Sequence, residues 1–92
     1  PISKPVACEM ALGALDRSIA NLSVAVTGIA GPAGDDIGTP VGTVWFAWAR
    51  RLGDNSTPEI HQARHYLFAG DRAVIRQQAA TTALEGLIQL MD

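Results

Sequence analysis

Residues 41–49 constrain this chain more than any other segment. Read with the two-residue alternation of a strand, one face carries Val41, Thr43, Trp45 and Ala47, and the other Gly42, Val44, Phe46 and Trp48. Neither face holds a charge. A strand that is apolar on both faces has to be covered on both, so layers must lie above and below its sheet. With 92 residues, 48% of them hydrophobic and 17% charged, the chain can build one packed core and is too apolar for disorder. Residues 1–92 are therefore read as a single domain. A domain of this length buries roughly 60–65% of its unfolded surface, which makes it marginal when alone.

The flanking segments supply the layers. Ser3 is placed to cap a helix over residues 4–19, with Pro5 in the first turn, where its missing N–H costs little. In that helix Val6, Met10, Ala14 and Arg17 fall on one line, with Ala7, Ala11 and Leu15 beside it. Gly13 costs roughly 1 kcal/mol relative to alanine and is expected to permit close packing on a sheet. Residues 22–27 form a β-rich run whose alternate face (Ser23, Ala25, Thr27) is small and uncharged, which predicts an inner strand. Residues 50–58 read as a turn, and 59–68 as a third, more polar strand near an edge, forming an antiparallel hairpin with the second. Asp71 caps a final helix with an apolar stripe of Ala80, Ala83, Leu84, Leu87 and Met91. The order α-β-β-β-α is that of an α/β domain with helices over its sheet.

Composition removes several functions. Nine acidic and seven basic residues give a net charge of −2, with no basic stripe, so no nucleic-acid partner is expected. No apolar run approaches the roughly 20 residues of a membrane span, and no signal peptide opens the chain, so a cytoplasmic protein without a membrane partner is expected. The single cysteine, Cys8, fits a reducing compartment and reads as a small apolar residue inside the first helix. A polar third strand and small apolar helix faces point to a homo-oligomer.

Residues 28–40 hold four glycines and two prolines, a composition neither helix nor strand tolerates. Loops of that length are usually functional. Glycines let backbone N–H groups approach a ligand, and converging N–H groups suit a phosphate or an acyl oxyanion. The candidate ligand-binding positions are Gly28, Ile29, Ala30 and Gly31, with the Thr27 hydroxyl at the end of the preceding strand. The spacing matches neither the dinucleotide nor the Walker A pattern, and a purely structural loop stays an open alternative. Arg72 and Arg76 lie four apart at the start of the last helix, where two cations oppose the helix dipole. A bound anion would account for them; so would ordinary surface pairing with Asp71 or Glu85. Asp35 and Asp36 read as solvated loop residues. His61 and His65 on a strand stand roughly 13 Å apart, too far to share a metal, so no metal and no cofactor is expected. Trp45 and Trp48 lie on opposite faces of one strand; core packing is the default for both, with a ligand-ring contact open for one.

Three blocks occur in order: Val24-Ala-Val-Thr-Gly-Ile-Ala-Gly-Pro32, Thr39-Pro-Val-Gly-Thr-Val-Trp45, and Phe68-Ala-Gly-Asp-Arg72 followed by Arg76. Together with the opening Ser3 and Glu9-Met-Ala-Leu-Gly13 they resemble the CinA C-terminal domain family over nearly the whole chain. The resemblance implies a three-layer α/β/α fold with a mixed sheet. It also implies an amidase that hydrolyses the carboxamide of nicotinamide mononucleotide to nicotinate mononucleotide and ammonia. The family's nucleophile is a serine in a Ser-Cys-Thr-Gly-Gly motif, assisted by a lysine. Neither motif occurs in these 92 residues, and both are expected upstream of Pro1. On that reading Thr27 supports catalysis, and Gly28, Ile29, Ala30, Gly31, Arg72 and Arg76 bind the nucleotide. The alternative is a non-catalytic nucleotide-binding or assembly module of the same fold.

Overall fold

The computed structural model describes residues 3–28, 42–53 and 56–91. It contains α1 (Lys4–Asp16), β1 (Leu22–Gly28), β2 (Thr43–Arg50), β3 (Glu59–Leu67) and α2 (Arg72–Met91). The strands lie in the order β1-β2-β3, so β2 is central. As its composition demands, β2 is covered on both faces. Ala47 and Ala49 join Ala25 of β1 and Ala7, Ala11 and Leu15 of α1 in one buried cluster. Val44, Phe46 and Trp48 join Ile75, Ala79 and Ala83 of α2 in the other. The result is three layers, α/β/α.

The layers are built from different materials. The α1 side is alanine-rich, and Cys8 packs half-buried against it. The α2 side is aromatic: Phe46 stacks on Trp48 at 5.6 Å and meets Tyr66 edge-on at 5.6 Å, and Tyr66 stacks on Phe68 at 5.6 Å. Large rings on the sheet require small residues on the helix above them, and α2 supplies Ala79, Ala83 and Gly86. The Trp48 indole N–H donates to the Ala83 carbonyl oxygen at 3.1 Å, which satisfies its one polar atom inside the core.

Several expectations change. Both strand pairs are antiparallel, so the described sheet is not mixed; each strand pairs with its neighbour in sequence. Among the described residues β1 is an edge strand, not an inner one. Its small face answers to α1 instead: the Ser23 hydroxyl donates to the Ala11 carbonyl oxygen at 2.8 Å, and Ala25 is buried beneath the helix. The first helix stops at Asp16 rather than at residue 19. Ser18 bonds locally, its hydroxyl accepting from the Ala20 N–H at 3.2 Å. Arg51 then ties off the end, donating to the carbonyl oxygens of Leu15 at 2.6 Å and Ala20 at 3.0 Å. Gly13 faces the Arg17 guanidinium, not the sheet.

Helix α2 is turned relative to its expected stripe. Ile75, Ala79 and Ala83 are buried and Leu87 is half-buried, whereas Ala80, Leu84 and Met91 are exposed, Met91 at 72%. The helix carries two apolar stripes, and the narrower one fits over Trp48. The caps are as expected: Ser3 Oγ accepts from the Val6 N–H at 3.3 Å, and Asp71 Oδ1 accepts from the Val74 N–H at 3.0 Å. No helix among the described residues is long and apolar enough to cross a membrane.

Gly86 tests this packing. A Cβ there would overlap the Trp48 indole, which is held by its bond to Ala83. Alanine would gain about 1 kcal/mol of helix propensity and cost about 1–3 kcal/mol of overpacking. With a rigid, hydrogen-bonded ring as the obstacle, the overpacking term wins. Gly86→Ala should therefore lower the midpoint of thermal unfolding, and Thr81→Ala, an exposed control on the same helix, should not lower it.

Candidate functional site

The directions of the elements bring one end of the sheet into relief. Strand β1 ends there at Gly28, β2 begins there at Thr43, and β3 ends there at Leu67. Helix α1 runs antiparallel to β1, since Ala11 sits by Ser23 and the Leu15 carbonyl meets Arg51 at the far end. Its first residues, Ser3 and Lys4, therefore lie at the Gly28 end. Helix α2 runs the same way: Ile75 lies by Gly42 and Ala83 by Trp48. The N-termini of both helices thus point toward one end of the sheet, each with a partial positive charge of about one half.

Both helices also begin with a cation. Lys4 is the first residue of α1 and Arg72 the first of α2, and neither helix has an acidic residue in its first turn. Arg76 follows one turn later, exposed, with no ion pair to another described residue. A cation in the first turn costs about 0.3–1 kcal/mol. The Asp71 carboxylate answers part of that charge while capping α2. Among the described residues the helix starts at this end carry Lys4, Arg72 and Arg76, a balance that suits an anion.

The register places the other candidates. Thr27 is half-buried on the α1 face, opposite Trp45, which is itself opposite His65. Arg72 and Arg76 belong to the layer on the other face, so the structure brings them to the same end as Thr27 but across the sheet. Gly28 has a packing reason of its own: a Cβ would lie 2.9 Å from both the Thr43 carbonyl oxygen and Val44 Cγ2. Ile29, Ala30 and Gly31, with Asp35 and Asp36, lie outside the described residues.

His61 and His65 are both on β3, and His61 is the residue left without a register partner where the pairing shifts between Trp48 and Ala49. Four strand residues separate them by roughly 13 Å, so they do not converge. Among the described residues no group of three or more His, Cys, Asp or Glu could hold a metal ion. What the residue-by-residue reading missed is the pairing of Trp45 with His65, whose ring centroids are 4.6 Å apart. They line an open hollow of about 360 Å³ together with Lys4, Ala63, Arg64 and Tyr66. A larger hollow of about 580 Å³, lined by Asp16, Ile19, Arg51 and Pro58 among others, lies at the opposite end, away from every candidate.

Comparison with known proteins decides the family. The CinA C-terminal domain description matches residues 1–91. The chain belongs to this family. It is 46% identical over 90 residues to Protein YdeJ of Escherichia coli K12, covering 98% of this chain and 48% of that protein. It is 46% identical over 88 residues to the nicotinamide-nucleotide amidohydrolase PncC of the same organism, covering 96% of this chain and 50% of that protein. The crystal structure of a competence or damage-inducible protein from Enterobacter asburiae superposes with a TM-score of 0.84 at 35% identity, covering 99% of this chain and 53% of that one. A competence/damage-inducible protein of Agrobacterium tumefaciens gives 0.77 at 44% identity, covering 99% and 52%. The chain spans about half the length of the curated relatives it matches.

Arg76 separates an anion role from a structural one. Arg76→Gln keeps a long polar side chain at an exposed position, so stability should stay within about 0.5 kcal/mol. A charged hydrogen bond to phosphate contributes about 1.5–3 kcal/mol, so phosphate monoester affinity should fall by roughly ten- to a hundredfold in calorimetry.

Proposed function

We propose that this chain forms the nucleotide-binding half of an amidohydrolase acting on nicotinamide mononucleotide. The reaction adds water across the carboxamide C–N bond and gives nicotinate mononucleotide and ammonia. The observation that carries this reading is the convergence, at one end of the sheet, of two helix N-termini, three cations and the Thr27 hydroxyl. The likeness to relatives named for this activity supplies the substrate. In this reading Arg72 and Arg76 hold the phosphate. Thr27 offers its hydroxyl as donor or acceptor to the substrate, and the amides of Gly28, Ile29, Ala30 and Gly31 receive the negative charge that builds on the carbonyl oxygen. Each such donor contributes about 2.7–4 kcal/mol to the barrier.

The described residues favour a division of labour. Thr27 is separated from His65 by the intervening Trp45, so among the described strand residues no base stands beside its hydroxyl. Cys8 is packed into the α1 cluster. Neither can serve as an activated nucleophile, which requires a base within hydrogen-bond reach. In this reading the acyl chemistry falls to a serine and lysine of the kind the family resemblance implies, and the residues of this chain bind and orient. The same observation favours a second reading, a nucleotide-binding module without turnover.

Ammonia release from nicotinamide mononucleotide separates them. A chain carrying the family's serine motif in addition to these residues should turn the substrate over, and Thr27→Val in it should lower turnover at least tenfold while the fold is kept. Binding of the mononucleotide by calorimetry with no ammonia released supports the module. No binding at all rejects both.

A further inference from the structure

The two tryptophans of β2 have opposite surroundings. Trp48 is 3% exposed, its indole N–H is bonded to Ala83, and Gly86 closes over its ring. Trp45 is half-buried and borders the open hollow at the Gly28 end. It packs against the α1 cluster, which restricts the ring. The His65 imidazole lies beside it at 4.6 Å, tilted by 41°. Both sit in one row with Thr27, the site's candidate hydroxyl. A volume of about 360 Å³ is at the small end of ligand pockets, which run from roughly 300 to 1,000 Å³.

We propose that Trp45 and His65 form the stacking subsite for the pyridinium ring of a nicotinamide nucleotide, an assignment that rests on the function proposed above. That ring is planar and carries a positive charge once joined to ribose. An indole face is the best aromatic partner for a cation, and an anchored ring loses little freedom on binding. Lys4 and Arg64, which also line the hollow, are exposed, so solvent and salt screen their charges from the ring. The subsite divides the nucleotide: the heterocycle lies on the α1 face and the phosphate reaches the cations around the end of the sheet.

Titration with nicotinamide mononucleotide, followed by tryptophan emission and by calorimetry, tests this. A pyridinium ring in contact with indole quenches it, so the chain should show saturable quenching. Ribose 5-phosphate, which lacks the ring, should bind at least tenfold more weakly and leave emission unchanged. Trp45→Leu should abolish the quenching and weaken mononucleotide binding at least tenfold. Trp45→Tyr, which keeps a ring, should stay within threefold, and exposed His65→Ala should lose three- to tenfold with its circular dichroism unchanged. Should Trp45→Leu fail to fold, the His65→Ala and ribose 5-phosphate comparisons decide. Wild-type affinity in His65→Ala and Trp45→Leu, equal binding of ribose 5-phosphate, or no binding of the mononucleotide overturns the subsite. Trp45-dependent quenching without ammonia release from a chain carrying the serine motif would keep the subsite and remove the amidase reading. Ammonia release that is indifferent to Trp45 and His65 would do the reverse.

Discussion

Both buried clusters take most of their strand residues from β2, through alanines on one face and Val44, Phe46 and Trp48 on the other. That single strand is what joins two helices that never meet in one core. The asymmetry has consequences. Alanine against alanine lets α1 come close to the sheet, so its backbone can bond directly to it, as the Ala11 carbonyl does with Ser23. On the other face the rings hold α2 away: Ala83 and Gly86 lie over Trp48, and Ile75 fills the Gly42 end. Burying a Phe46 side chain contributes about 1.5–3 kcal/mol, a sizeable part of the net stability of a domain this small.

Once β2 is fixed, the helix directions follow. Strand β1 pairs antiparallel with it and follows α1 after a short turn, running antiparallel to that helix. Strand β3 ends where β2 began, so the chain enters α2 at that same end. The hydrogen bond from the Phe68 N–H to the Gly42 carbonyl oxygen, at 3.0 Å, holds the two strand ends together there. Converging helix N-termini are thus a product of topology, and the glycine-rich segment leaves β1 at that same end. Fold and electrostatics select one location before any residue is given a role.

How far the sequence could be read depended on whether a feature was local. Strand β2 was legible because both of its faces are apolar, and Ser3 and Asp71 were legible because a cap is a contact within three residues. The buried face of α2 was not. Leu84 and Met91 outrank Ala79 in hydrophobicity, yet the sheet selects by shape, and shape depends on Trp48 lying beneath. Among the described residues β1 lies at an edge; small residues suit both an inner strand and one pressed under a close helix. For the site, the end of β1 and the arginines at the start of α2 could be named from sequence. The pairing of Trp45 with His65 could not. It depends on the register of β2 against β3, which shifts between Trp48 and Ala49. A shift of one residue upstream of a position decides its partner, and nothing in the composition of residues 59–67 announces it.

The cations at the helix starts are the strongest local departure from what stability alone would select. An optimised helix carries acids in its first turn and bases in its last; here α1 and α2 carry a base at the first position and no base in the last turn. A single reversal is unremarkable on a surface. Two reversals at the same end of one sheet, where the positive helix ends already converge, add like charge to like. Departures of this kind are expected where function opposes stability. An anion bound at the start of α2 would offset part of this charge, so affinity and stability are linked. The ligand should raise the unfolding midpoint by more than it does in a variant whose cations have been neutralised, and added salt should narrow that difference.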